Sequence, residues 1–146
     1  MTLVLPDVNV LVAALLPSAA HHEADRDWLT AVVNGSDELA VVPATLVGTI
    51  RVATHPRVFD PPADLDVARR FVATLRRARA TRDLVANREV WARFEQLLAA
   101  DPQARGNLVP DAWVAAMAIA HGARLATADR GMARWPDLDW FDPAST

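Results

Sequence analysis

Short apolar runs alternate with amphipathic stretches along the chain. The run LVLP (3–6) is closed by Pro6 and Asp7 and reads as a buried strand. VNVLVAALL (8–16) predicts a short helix that stops at Pro17. In HEADRDWLTAVV (22–33), Ala24, Trp28, Leu29 and Val32 share one stripe, which predicts an amphipathic helix halted by Asn34-Gly35. LAVV (39–42) is a second strand, and ATLVGTIRVA (44–53) a helix that begins after Pro43 and ends before His55-Pro56.

The second half repeats the alternation. Residues 64–78 start at Asp64, a good N-cap, and place Leu65, Ala68, Phe71, Val72 and Leu75 on one face. DLVA (83–86) predicts a short strand, and residues 88–100 a helix with Val90, Trp91, Phe94, Leu97 and Leu98 inward. DAWVAAMAIAH (111–121) is apolar all round, as a buried helix must be, and Gly122 ends it. RLATA (124–128) and LDWF (138–141) supply the last strands. Strands that alternate with helices imply an α/β fold, three layers α/β/α around a central, mostly parallel sheet. The expectation is one domain over residues 1–146, with no repeat, linker or low-complexity stretch.

Composition narrows the function. An apolar content of 52% and a net charge of -3 exclude disorder. No apolar run approaches about 18 residues, so no membrane helix is expected. The N-terminal apolar run lacks a basic prelude and meets Asp7 early, which argues against a secretory signal. The chain has no cysteine, so thiolate metal sites, disulfides and cysteine nucleophiles are out. A bacterial cytoplasmic location fits. All 15 basic residues are arginines, as in products of GC-rich genomes. Eight of them fall between Arg69 and Arg93 against Asp83 and Glu89, a net of +6 beside a remainder of -9.

Three aspartates occupy telling positions. Asp7 follows the first strand, Asp129 follows RLATA, and Asp111 opens the most apolar helix. Ligands of open parallel sheets bind at the carboxyl ends of strands. If the first and fourth strands are neighbours, Asp7 and Asp129 meet there, and Asp111 joins them from the start of its helix. Repelling carboxylates that are gathered together suit a hard cation such as Mg2+ or Mn2+, which serves phosphate chemistry by activating water and neutralising phosphorus oxygens. Taken singly, each Asp reads more readily as an N-cap than as a ligand. The polar neighbours Asn9 and Thr127 are not explained by capping.

These residues sit in segments that resemble a known family. LPDVNVLVAALLP resembles the opening of PIN-domain ribonucleases, in particular the VapC toxins of bacterial toxin–antitoxin pairs. NLVPDAWVAAMAIAHGARLATADRGMARWPDLDW resembles the family's second signature, and VVPATLVGTIRVATHPRVF its third-helix region. The resemblance implies a Mg2+- or Mn2+-dependent endoribonuclease with Asp7, Asp111 and Asp129 as metal ligands and Asn9 and Thr127 as their polar companions. It also implies a homodimer silenced by a small VapB-like antitoxin. Many members carry a Glu in the third helix three residues before an Arg; here Gly48 holds that place before Arg51, beside Thr49, and none of the four glutamates lies in this helix. Water or the Thr49 hydroxyl is expected to complete the site, and a second metal is in doubt.

The remaining chemistry-bearing residues divide simply. Arg51, Arg69, Arg70, Arg76 and Arg77 are candidates for contact with RNA phosphates or an acidic partner, although any single Arg also reads as a solvated helix face. His21 and His22 read as surface residues, His55 as a turn residue and His121 as a helix C-cap. Trp28, Trp91 and Trp113 read as core, and Trp135 and Trp140 as looser flanks of the acidic edge. A base-stacking role for any of them is not favoured. A receiver-type signalling domain would gather aspartates in the same way but needs a late Lys, and this chain has none. The other rival is a PIN-like RNA- or protein-binding module with weak catalysis.

Overall fold

The computed structural model describes residues 1–145. In order these form β1 (Leu3–Pro6), α1 (Val8–Leu15), α2 (His22–Asn34), β2 (Glu38–Val41), α3 (Pro43–Ala53), α4 (Leu65–Arg77), β3 (Thr81–Asp83), α5 (Arg88–Ala100), α6 (Leu108–His121), β4 (Arg124–Ala126) and β5 (Trp140–Phe141). Short 3-10 turns follow at Arg130–Arg134 and Pro143–Ser145. The strands make one sheet in the order β3-β2-β1-β4-β5, and every pairing is parallel. No helix among the described residues is long and apolar enough to cross a membrane.

Pleat alternation sorts the core into two layers. Val4, Leu39 and Val41 face Leu11, Leu29, Leu46, Val72 and Leu75 from α1–α4. Leu5, Ala40, Val42 and Leu125 face Val90 and Leu97 of α5 and Ala112, Ala115 and Met117 of α6. Leu5, Leu11, Leu39 and Leu125 have no exposed surface, and burial of each contributes roughly 1.5–3 kcal/mol. The alanines of α6 carry little bulk, so this helix lies close against the sheet.

The chain steps from β1 outward to β2 and β3, then returns to lay β4 on the other side of β1. The strand order therefore reverses between β1 and β4, the place where such sheets open a crevice. Pairing of Pro6 with Ala126 brings the two strand ends level, and the Asp7 N–H extends the ladder to Ala126 O at 2.9 Å.

Several expectations need correction. β3 covers Thr81–Asp83 and not 83–86, because this edge strand pairs through backbone alone while Leu84 drops into the core beyond it. β4 stops at Ala126, and β5 is only Trp140–Phe141. α6 starts at Leu108, since Asn107 takes the cap position and Pro110 is tolerated in a first turn; Asp111 is thus the fourth residue of the helix. Asp64 stands at the cap position of α4 without a side-chain capping bond, and Leu65 is exposed. Asp25, not Ala24, is buried on the inner stripe of α2, where burial raises its pKa, reinforced by the charge of Asp142. Trp135 is buried in the core and is not a flank of the acidic edge. His22 is half-buried and bonds Ala13 O at 2.8 Å, and His121 reaches Val85 O at 2.8 Å across to the loop after β3. His55 is a turn residue, accepting the Arg57 N–H at 3.1 Å.

Candidate active site

The residues that end β1 and β4 are wired together. Asp7 caps α1, its Oδ1 accepting the Val8 N–H at 2.8 Å. Its Oδ2 accepts the Thr127 hydroxyl at 3.0 Å and, at 3.4 Å, the Asn9 amide. Asn9 also donates to Thr127 Oγ1 at 2.9 Å and accepts the Ala128 N–H at 2.9 Å. Thr127 Oγ1 in turn accepts the Asp129 N–H at 3.1 Å. Asp129 caps the following 3-10 turn, Oδ1 accepting the Gly131 N–H at 2.8 Å. Asp7 and Asp129 are therefore N-caps and neighbours at one site at once, because a cap occupies only part of a carboxylate's four acceptor positions.

Asp111 completes the group from the first turn of α6. It is half-buried and makes no protein hydrogen bond among the described residues. Asp7, Asn9, Asp111 and Asp129 line one cleft of about 900 Å3. Ala44, Thr45, Val47, Gly48, Arg51 and Val52 of α3 line it too, as do Trp91 and Phe94 of α5 and Trp113 of α6.

Burial and mutual charge both raise the pKa of acids in the cleft. Asp111 is pushed up to about 6, first by burial and then by the charges of Asp7 and Asp129, with Arg134 pulling the other way. Asp7 is also raised, chiefly by burial and further by Asp129, against the lowering hydrogen bonds from Val8 and Thr127. An all-oxygen donor set whose members repel one another fits a hard divalent cation. No three His, Asp or Glu side chains among the described residues already close into a ligand cage.

The third helix departs from the expectation in one respect. Thr49 is fully buried, and its hydroxyl donates to Thr45 O at 2.7 Å, so it does not complete the acidic site. Gly48 does line the cleft, and its missing side chain has a packing cause: a Cβ there would stand 2.9 Å from Val8 Cγ2.

The arginine candidates split. Arg51 lines the acidic cleft. Arg69, Arg70, Arg76 and Arg77 lie outside it, around a separate groove of about 490 Å3 on α4 that Ile50 of α3 also lines. Arg69 pairs with Asp66 at 3.2 Å, whereas Arg70, Arg76 and Arg77 have no ion pair among the described residues. The rest of the basic segment is partly neutralised, Arg82 by Glu38 at 3.8 Å and Arg93 by Asp137 at 3.9 Å.

Sequence reasoning missed two features of the cleft. Arg134 acts on Asp111 through space while pairing with Asp101 at 3.2 Å. Trp91, expected inside, is 53% exposed. Its neighbour Val90 points at the sheet, and with one helix on its flank α5 buries a narrow stripe that leaves Trp91 at the border. The narrowness of the stripe Val90–Phe94–Leu97 was the available signal.

An α/β/α sheet with acids at its switch point, in this order, defines a PIN domain: the model of the PIN domain family matches residues 4–138, and the chain belongs to that family. Among its relatives are the VapC ribonuclease Mb2897 of Mycobacterium bovis and ribonuclease VapC43 of Mycobacterium tuberculosis, each 38% identical over 137 residues, covering 94% of this chain and 92% of theirs. By structure the chain is similar to the VapBC2 complex of Rickettsia felis bound to a promoter DNA fragment, with a TM-score of 0.69 and 14% identity over 97% of this chain and 98% of the other.

Proposed function

We propose that this chain is a divalent-metal-dependent endoribonuclease and the toxin of a VapBC-type pair. The observation that carries the reading is the cleft that holds Asp7, Asp111 and Asp129 together, with two of them raised in pKa by burial and by one another. The relatives named as VapC ribonucleases support the same activity.

Asp7, Asp111 and Asp129 would hold Mg2+ or Mn2+, with no carboxylate at Gly48 to add to them. When bound, the ion activates water for attack on the scissile phosphate and offsets charge on the phosphorus oxygens. Thr127 and Asn9 fix the Asp7 carboxylate through Oδ2, which leaves Oδ1, shared only with the Val8 N–H, as the oxygen with a free acceptor position. Arg51, on the α3 wall, meets phosphate charge entering the cleft. The unpaired Arg70, Arg76 and Arg77, with Arg69, hold the RNA backbone farther out on α4. The protein is a homodimer in this reading, and a small antitoxin encoded beside it covers the acidic cleft, in keeping with the VapBC complexes among its structural relatives.

The deciding experiment incubates the purified chain with RNA, with and without Mg2+ or Mn2+, alongside Asp7→Asn. Metal-dependent cleavage by the parent alone supports the reading. The absence of a carboxylate at Gly48 favours the rival of a binding module without catalysis; RNA binding with no cleavage in either metal would establish that rival. Growth arrest on expression, relieved by the adjacent small protein, tests the toxin assignment.

A further inference from the structure

The cleft has a second kind of lining beside its acids. Trp91 and Phe94 stand one turn apart on α5 and meet Trp113 of α6. Ring centroids lie 4.6 Å apart for Trp91–Trp113, 5.2 Å for Phe94–Trp113 and 5.9 Å for Trp91–Phe94, at interplanar angles of 57°, 85° and 79°. Phe94 meets both tryptophans edge to face and Trp91 lies tilted against Trp113, so Trp91 is held in place although it is 53% exposed.

A lone exposed tryptophan needs no explanation, but a braced one on the wall of a charged cleft does. Trp113 and Asp111 both stand on α6 and both line the cleft. The aromatic wall and the acidic end are therefore adjacent parts of one surface. Gly48, which projects no side chain, and Arg51, which carries a positive charge, line the same cleft. An exposed, braced apolar ring and a cation for phosphate in one cleft together match one nucleotide of single-stranded RNA.

We infer that Trp91, braced by Trp113 and Phe94, stacks on an unpaired base of the nucleotide adjoining the scissile phosphate, and so makes this cleft select single-stranded RNA. The inference rests on the ribonuclease reading above and adds the contact that recognises the substrate. Every base has an aromatic face, so this contact favours unpaired over paired RNA more than one base over another. A duplex keeps its bases stacked within itself and cannot offer one to the ring.

The test uses Trp91→Ala, Trp91→Phe and a cleavable single-stranded oligoribonucleotide with single abasic substitutions around the cut. Trp91→Ala should raise KM about tenfold or more, the size of one base stack, with kcat within about twofold, and Trp91→Phe should recover most of the loss. An abasic nucleotide at one position beside the cut should raise KM for the parent by a similar factor and add little for Trp91→Ala. Additive losses, or parent kinetics indifferent to every abasic position, would overturn the inference. So would a change in oligomeric state of Trp91→Ala by sedimentation, which would mark the ring as a contact between copies. Binding is measured in parallel in an Asp7→Asn background, where no cleavage is expected. A parent that cuts nothing counts against the nuclease reading, whereas equal RNA binding with and without the Trp91 ring counts against stacking.

Discussion

Thr127 donates its hydroxyl to Asp7 Oδ2 at 3.0 Å, a contact between residues 120 positions apart. The same oxygen accepts from Asn9 and from the backbone of Asp129, so one buried hydroxyl ties the ends of β1 and β4 to the start of α1. Thr127→Val keeps the shape and removes the hub. Loss of such a supporting hydrogen bond typically costs 10–100-fold in metal affinity or activity. Mn2+ titration calorimetry and RNA cleavage should both show that fall, and Thr127→Ser should restore most of it.

Asp7→Asn keeps the Val8 cap and removes one of three carboxylates. Cleavage should drop by at least about a hundredfold, because the cation supplies both the activated water and charge neutralisation. RNA binding should hold or tighten, since a negative charge has left the cleft. Cleavage at the parent rate would reduce Asp7 to a helix cap.

Asp111 sets a pH limit. Its pKa near 6 means that below this value the cleft carries a proton where a cation should bind. At limiting Mg2+, kcat/KM should fall as pH drops through about 6. Proton and cation compete for the same oxygens, so higher Mg2+ should move the midpoint to lower pH. A midpoint that does not respond to Mg2+ would assign the titration to another group.

The same shift makes Asp111 a burden on the fold. Its pKa is about 6 in the folded chain and 3.8 as an ordinary carboxylate, so between these values the folded chain holds a proton that the unfolded chain has released. Stability therefore falls as pH rises from 3.8 to about 6 and stays lower above it. A shift of about two units corresponds to ~3 kcal/mol, which partial exposure to water trims to the order of 1 kcal/mol. Asp111→Asn should thus melt a few degrees higher than the parent at about pH 8 without divalent ions, while losing cleavage. Differential scanning calorimetry at about pH 8 and about pH 4 checks the sign: the gain should shrink at the lower pH.

Arg76→Ala with Arg77→Ala removes two charges that have no acidic partner among the described residues. If both neutralise phosphates, the slope of log binding constant against log salt should lessen by about 0.7 for each phosphate of single-stranded RNA left without its arginine. Mn2+ affinity should not change. An unaltered slope would move the RNA path away from α4.

Most of the architecture was legible in the sequence because local patterning dictates it. The runs at 3–6 and 39–42 read as buried strands and fall on β1 and β2 to within a residue, and the helices begin and end close to their prolines, glycines and caps. The gathering of Asp7, Asp111 and Asp129 in one cleft was legible because Asp7 and Asp129 follow neighbouring strands and Asp111 lies in the first turn of α6. Boundaries failed where tertiary pairing outweighed composition, as in β3, whose polar Thr81–Asp83 is a strand only because β2 lies alongside. What the fold alone decided concerns distance between chain-remote groups. Side-chain type does not reveal that Val8 stands against Gly48, where a Cβ would lie 2.9 Å from its Cγ2, or that Trp91 lines the cleft. Each depends on how closely α3 approaches α1, or on the flank of α5 that α6 leaves uncovered. These are properties of packing between helices, and no periodicity within a single helix encodes them.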